Sequence, residues 1–248
     1  MAWIHNKYRG FKRRFGFYLS VNWLKTIYFN FKMFPFKTAQ KLPVFFYGPV
    51  KFSALTGNIK IEAPIKTAMV GFGQKFEFPT VPKGVAELSL KGILCFKSNA
   101  HIGLDCTLSI AEGAYCEFGF MGCLGSNVKL ICTEKIIIGE WCGIGYNSQV
   151  IDTNSHPMKN TETGQIYPMS SAIELGNYNA FSNSVSIMPG TITPNNCVIA
   201  SHSLCNKDYR SLGENILIGG TPAKLIKNNF GRDWESEKEL LLKSKRVI

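Results

Sequence analysis

The sequence predicts an all-β chain wound as a parallel β-helix, with a basic, aromatic helical segment before it and a short helix after it. Three observations carry that expectation. Apolar or small residues recur at every sixth position from Leu90 onward. Glycine directly follows several of the recurring residues. Helix-like patterns are confined to the two ends of the chain.

The ladder runs Leu90, Phe96, Ile102, Leu108, Ala114, Phe120, Ser126, Cys132, Ile138, Ile144, Val150 and His156, with Gly103, Gly139 and Gly145 one residue beyond a rung. An irregular stretch, 157–174, interrupts it. The ladder then resumes one residue out of phase at Leu175, Phe181, Ile187, Thr193, Ile199 and Cys205. A six-residue beat matches neither the helical repeat nor the alternation of a simple strand. It matches a chain that makes a short strand, turns, and repeats. One side chain per hexad would point into a triangular prism. The next position would lie near a corner, where glycine tolerates the turn. Three hexads complete a coil, and stacked coils bury one continuous core. A β-sandwich whose apolar residues fall in step by chance is the competing reading, and the length of the ladder argues against it.

The segment 1–45 has a different texture. Phe17, Val21, Leu24, Tyr28 and Phe31 are spaced as one face of a helix, and Pro35 should end it. Two roles are open for this segment: a cap on the end of the solenoid, or an interfacial segment settling on an anionic membrane surface. Net charge is +11, and the first 61 residues carry eleven cations (Lys7, Arg9, Lys12, Arg13, Arg14, Lys25, Lys32, Lys37, Lys41, Lys51 and Lys60) with no acid. The remainder is balanced. That distribution speaks against a nucleic-acid partner, which would call for a basic face on the main domain, and for a local role at one end. The β-helix is read as 46–212, with an active-site loop at 157–174, and 213–248 as a C-terminal turn and helix. In that last part Asp233 to Lys243 has acids at its start and lysine at its end, which suits the helix dipole.

The eight cysteines include no Cys-x-x-Cys pair and fit no zinc spacing. The N-terminus lacks the basic-then-apolar pattern of a secretory signal. The cysteines are therefore read as reduced, buried residues of a cytoplasmic protein, peripheral at most to the inner membrane face. No uncharged apolar stretch reaches the ~18–20 residues a membrane span needs.

His156 carries the chemistry. It closes the first ladder within Asp152-Thr153-Asn154-Ser155-His156-Pro157, where a regular coil gives way to a long loop and a ligand could reach it. An imidazole with an ordinary pKa near ~6.5 suits the removal of a hydroxyl proton at neutral pH. Asp152 and Asn154 are close enough in sequence to orient it or to hold a substrate. Taken alone, both are equally well read as turn residues, and a lone histidine is more often structural than functional.

Four motifs resemble the hexapeptide-repeat acyltransferase superfamily over about residues 90–230, especially galactoside, maltose and polysaccharide-cluster O-acetyltransferases. They are Ile-Ile-Gly-Glu-Trp-Cys-Gly-Ile-Gly (137–145), Asp-Thr-Asn-Ser-His-Pro (152–157), Ile-Met-Pro-Gly-Thr-Ile (187–192) and Ile-Gly-Gly-Thr-Pro-Ala-Lys-Leu-Ile-Lys (218–227). The last, a Gly-x-Pro-Ala-Lys-type exit turn, is the most specific. The resemblance implies a left-handed β-helix, a homotrimer, and direct acetyl transfer from acetyl-CoA to a sugar hydroxyl of a surface polysaccharide or its precursor. No metal is implied. His156 matches the general base, with a polar or backbone group expected to hold its tautomer. Asn183, Ser201, Asn206, Lys207, Lys224 and Lys227 match cofactor-contacting positions in a groove between protomers. Two residues depart from the pattern: Ala180 stands where an aromatic is usual, and the bulky His202 lies beside the expected pantetheine path. Three alternatives remain: an N-acetyltransferase on an amino sugar, a zinc enzyme built on His101, His156 and His202, and a non-catalytic scaffold.

Overall fold

The computed structural model describes residues 16, 18–75 and 84–243; Phe17 and the five cations from Lys7 to Arg14 lie outside them. Short β-branched and aliphatic strands such as Lys135–Ile138 alternate inward and outward side chains, as a half-buried strand must. Among the described residues these strands form three sheets of nine, seven and five strands. All pairings between successive coils are parallel. Each coil passes from the five-stranded sheet to the nine-stranded sheet and then to the seven-stranded one; these are called the third, first and second sheets below. This is the parallel β-helix that the period predicts, left-handed as the resemblance implies.

The core is a set of stacked rungs. Ile102, Leu124, Ile144, Phe181, Ile199 and Ile218 stack in the first sheet. Leu108, Leu130, Val150, Ile187 and Cys205 stack in the second, and Phe96, Phe118, Ile138 and Leu175 in the third. All are nearly or wholly buried. The strands extend further than 46–212: the first is Val44–Phe46 and the last parallel one Ile216–Gly219, against which Lys224–Asn228 folds back antiparallel.

The ladder is not one unbroken phase. Phe120 and Ser126 are only half-buried, and the true rungs there are Phe118, Leu124 and Leu130. The step from Leu108 to Phe118 is ten residues, and from Leu130 to Ile138 eight. The excess over two steps is one full hexad, so the original phase returns at Ile138. Both insertions, and the larger one between Val150 and Leu175, enter between the second and third sheets. A corner can bulge outward there without disturbing the rungs above and below.

The glycines after the rungs also have a different cause from the one expected. A Cβ on Gly139 would lie 2.6 Å from the carbonyl carbon and oxygen of Gly176 in the next coil. Glycine is required for that close approach. The left-handed corner falls two residues later, at Trp141 (φ +52°) and, after Gly145, at Asn147 (φ +58°).

The N-terminal helix, Trp23–Met33, caps the open edge of the first sheet and ends before Pro35. It does so with the buried Phe29, whose ring centre lies 4.8 Å from that of Phe46, and with polar side chains. Asn30, fully buried, donates from Nδ2 to the Val44 carbonyl (2.7 Å) and accepts the Val44 N–H (3.2 Å), while Thr26 Oγ1 accepts the Phe46 N–H (3.0 Å). These bonds satisfy backbone groups that an edge strand would otherwise leave open. The predicted apolar face is therefore not the packing face. Leu24, Tyr28 and Phe31 point outward, 85%, 53% and 47% exposed, and Val21 precedes the helix, paired with Tyr47.

The C-terminal helix, Trp234–Lys243, is capped by Asp233 Oδ1 accepting the Ser236 N–H (3.2 Å). It docks on two corner residues. Trp234 Nε1 donates to the Tyr178 carbonyl (3.1 Å) and its ring meets Trp141 edge-on, while Lys238 Nζ sits 4.4 Å from the centre of the Tyr178 ring.

Candidate active site

The segment 157–174 is an ordered hairpin. Met158–Lys159 pairs antiparallel with Ile166–Tyr167, and its base is closed by the Thr153–Ser170 bridge and by the Asn154 N–H donating to the Met169 carbonyl (2.8 Å). His156 stands at this base on an exposed stretch, following Ser155 at φ +61°. Asn154, also exposed, lies beside it. Among the described residues the His156 imidazole has no hydrogen-bond partner.

Asp152 has a different place from the one expected. It is fully buried. Its carboxylate accepts the N–H groups of Thr133 (2.7 Å), Glu134 (2.8 Å) and Lys135 (3.0 Å) and the Thr133 hydroxyl (2.8 Å). That hydroxyl is also 2.8 Å from Ser170 Oγ on the returning arm of the hairpin. Asp152 therefore ties the insertion to the preceding coil and has no face turned to a substrate. Sequence proximity to His156 pointed to the wrong role, because a carboxylate next to a turn is drawn to that turn's free N–H groups.

The other predicted residues fall on three places. Asn183 and Ser201 stack on the corner between the first and second sheets, with Ser201 Oγ donating to Asn183 Oδ1 (2.8 Å). Asn206 and Lys207 lie on the opposite edge of the second sheet, at the same corner as the hairpin insertion but two coils on, with residues 188–191 between. Lys224 and Lys227 are exposed on the antiparallel strand at the edge of the first sheet, and Lys227 Nζ is 5.4 Å from the Phe230 ring centre. The second sheet is thus flanked by both polar corners. Its outer face carries Gln149, Ser186 and Leu204 in register, with Gln149 Nε2 donating to Ser186 Oγ (3.1 Å). Sequence reasoning missed Gln149 and Ser186; their outward place one residue before a rung was the available signal.

His202 takes a left-handed corner (φ +57°), the position that Asn147 and Ser184 occupy in other coils, and is exposed. Ala180 is half-buried between Gly143 and Val198. His101 is set apart from the other two described histidines. It is buried in the first sheet, with Nδ1 2.5 Å from Gln74 Oε1, and burial pushes it down to about 4. The described residues contain no group of three or more His, Cys, Asp and Glu placed to hold a metal ion. The eight cysteines are unbridged and seven are buried. Burial pushes Cys197 and Cys205 up to about 12, so neither supplies a thiolate nucleophile at neutral pH.

The depressed His101 has a consequence for stability. An unfolded imidazole titrates near ~6.5, so between that value and 4 the unfolded chain binds a proton that the folded chain refuses. Stability is then full above about pH 6.5 and falls as the pH drops toward 4, by up to about 3 kcal/mol. Denaturant unfolding of His101→Gln should lack that part of the pH slope. A slope identical to the parent protein's would remove His101 as its source.

Three solved structures illustrate what this chain is similar to in fold. A polysialic acid-specific acetyltransferase, NeuO, is 18% identical, with 80% of this chain and 78% of that one covered and a TM-score of 0.46. AntD, an N-acyltransferase from Bacillus cereus in complex with dTDP and 3-hydroxybutyryl-CoA, is 12% identical over 85% and 96%, TM-score 0.40. A maltose O-acetyltransferase from Clostridium difficile 630 is 19% identical over 71% and 70%, TM-score 0.29. The chain has the hexapeptide-repeat β-helix fold. No family model matches the sequence, and no curated protein matches it.

Proposed function

We propose that this chain is an acetyl-CoA-dependent O-acetyltransferase acting on a sugar hydroxyl of a surface polysaccharide or its precursor, with His156 as general base. The observation that carries this reading is an exposed imidazole at the base of an ordered hairpin, on the same corner of the prism as Asn206 and Lys207. Two of the four motifs that resemble the acyltransferase superfamily, 152–157 and 187–192, lie at that corner.

In the proposed reaction the His156 imidazole takes the proton of the acceptor hydroxyl as its oxygen attacks the thioester carbonyl. The tetrahedral intermediate collapses by breaking the carbon–sulfur bond. The CoA thiolate leaves and recovers a proton from the imidazolium, and the acetyl group ends as an ester. The donor would lie on the outer face of the second sheet, where Asn183 and Ser201 reach one side of it and Asn206 and Lys207 the other. Lysines suit the CoA phosphates as point charges, and Lys224 and Lys227 at the edge of the first sheet would meet them from a neighbouring protomer of a homotrimer. A neighbouring protomer would also supply the imidazole's missing partner and the second wall of the cleft.

The test is incubation with acetyl-CoA and a panel of saccharide acceptors while free thiol is followed. Acceptor-dependent thiol release with an alkali-labile ester product is the expected result. An alkali-stable amide would assign N-acetylation instead, and failure to bind acetyl-CoA in calorimetry would overturn the enzymatic reading in favour of a scaffold. Sedimentation equilibrium at three chain masses checks the trimer.

A further inference from the structure

The N-terminal helix buries one aromatic residue, Phe29, beside two polar ones, and leaves most of its large apolar side chains outside. Its polar residues Thr26 and Asn30 are buried against the first strand, where they serve as hydrogen-bonding caps. Its outward surface holds Trp23, Leu24, Ile27, Tyr28 and Phe31, each at least 40% exposed. At 100° per residue these five lie within one contiguous face. Leu19 and Phe36, 68% and 70% exposed, flank the helix in sequence. A run of large apolar side chains on one surface is a marker of an interaction site.

The composition of the surrounding sequence selects the partner. Residues 1–61 carry eleven cations and no acid, while the rest of the chain is balanced. Among the described cations, Lys32 lies on the helix with its ammonium 5.8 Å from the Tyr28 ring centre, and Lys37 and Lys41 follow as exposed residues. Aromatic and aliphatic side chains ringed by lysine match a bilayer interface, where rings sit at headgroup level and ammonium groups meet lipid phosphates. No described helix is long and apolar enough to cross a membrane, so the contact would be one of lying on the surface.

We infer that the outward face of Trp23–Met33 docks the protein on an anionic lipid surface, with the capped end of the β-helix toward the bilayer. The contact is independent of the catalytic reading. It places the solenoid axis away from the membrane, so that the hairpin insertion and the second sheet stand clear of the lipid and remain open to substrate.

Co-sedimentation with phosphatidylcholine vesicles, with and without phosphatidylglycerol, tests the inference on the full chain. The parent protein should partition at least about tenfold more strongly onto the anionic vesicles, and added salt should weaken that binding. Leu24→Asp/Ile27→Asp/Phe31→Asp should lose the binding while keeping its far-UV circular dichroism, because none of the three side chains is buried. Lys32→Glu/Lys37→Glu, which leaves the apolar face intact, should lower partitioning by at least about tenfold. Equal binding of parent and triple variant would overturn the inference. So would a parent protein that ignores vesicles but falls to a smaller oligomer in the triple variant, since the face would then be covered by a second copy of the chain.

Discussion

His156→Ala should lower the turnover number for acetyl transfer by at least about a hundredfold, within the roughly 10²–10⁴-fold that a general base contributes. The KM for acetyl-CoA should change little, because the imidazole acts on the acceptor hydroxyl and the donor is held elsewhere. The loss should come without a loss of stability. His156 is exposed and has no hydrogen-bond partner among the described residues, so its removal opens no cavity and strands no buried group. A melting temperature close to the parent's, together with the lost turnover, separates catalysis from folding. Unchanged turnover would remove His156 from the mechanism, and His202, the other exposed histidine among the described residues, would become the residue to test.

The opposite profile is expected at Asp152. Replacing it with alanine leaves the backbone N–H groups of Thr133, Glu134 and Lys135 without their acceptor in a buried place. Each stranded donor costs about 1–3 kcal/mol, and relaxation of the turn should hold the total to about 3–5 kcal/mol. For a chain of this size that corresponds to a fall of about 10 °C in melting temperature. Asp152→Asn should be milder, since one amide oxygen still accepts while its NH₂ confronts a backbone donor. Activity should fall in both variants through the Thr133–Ser170 link that fixes the hairpin, and it should recover further in Asn than in Ala. A melting temperature within about 2 °C of the parent for Asp152→Ala would show that this carboxylate is not the tie that its geometry describes.

The two variants show how much of the site was legible in the sequence. His156 was legible as a candidate because a reactive imidazole must be reachable, and the structure leaves it exposed where the periodic pattern breaks off. Asp152 was found at the right corner and assigned the wrong role. Neither its burial nor its three backbone donors leaves a trace in residue spacing, because Thr133 to Lys135 belong to the preceding coil. Asn183 and Ser201 were matched by motif, and only the stacking of coils shows that they touch each other and face Asn206 and Lys207 across one sheet.

The same division runs through the fold. The six-residue beat alone determined that the chain winds into stacked parallel strands, because side-chain direction in a strand is a local property fixed by the pleat. Its interruption marked the insertion after His156, while helical spacing and charge order marked the terminal helices. The tertiary structure decided what local periodicity cannot carry. Insertions of four and two residues at one corner made an apparently continuous ladder pass through the wrong residues around Phe120 and Ser126. The glycines answer to the neighbouring coil and not to their own turn. The N-terminal helix left Leu24, Tyr28 and Phe31 outward, because the open edge of a sheet needs hydrogen-bond partners, and Thr26 and Asn30 satisfy it beside the buried Phe29.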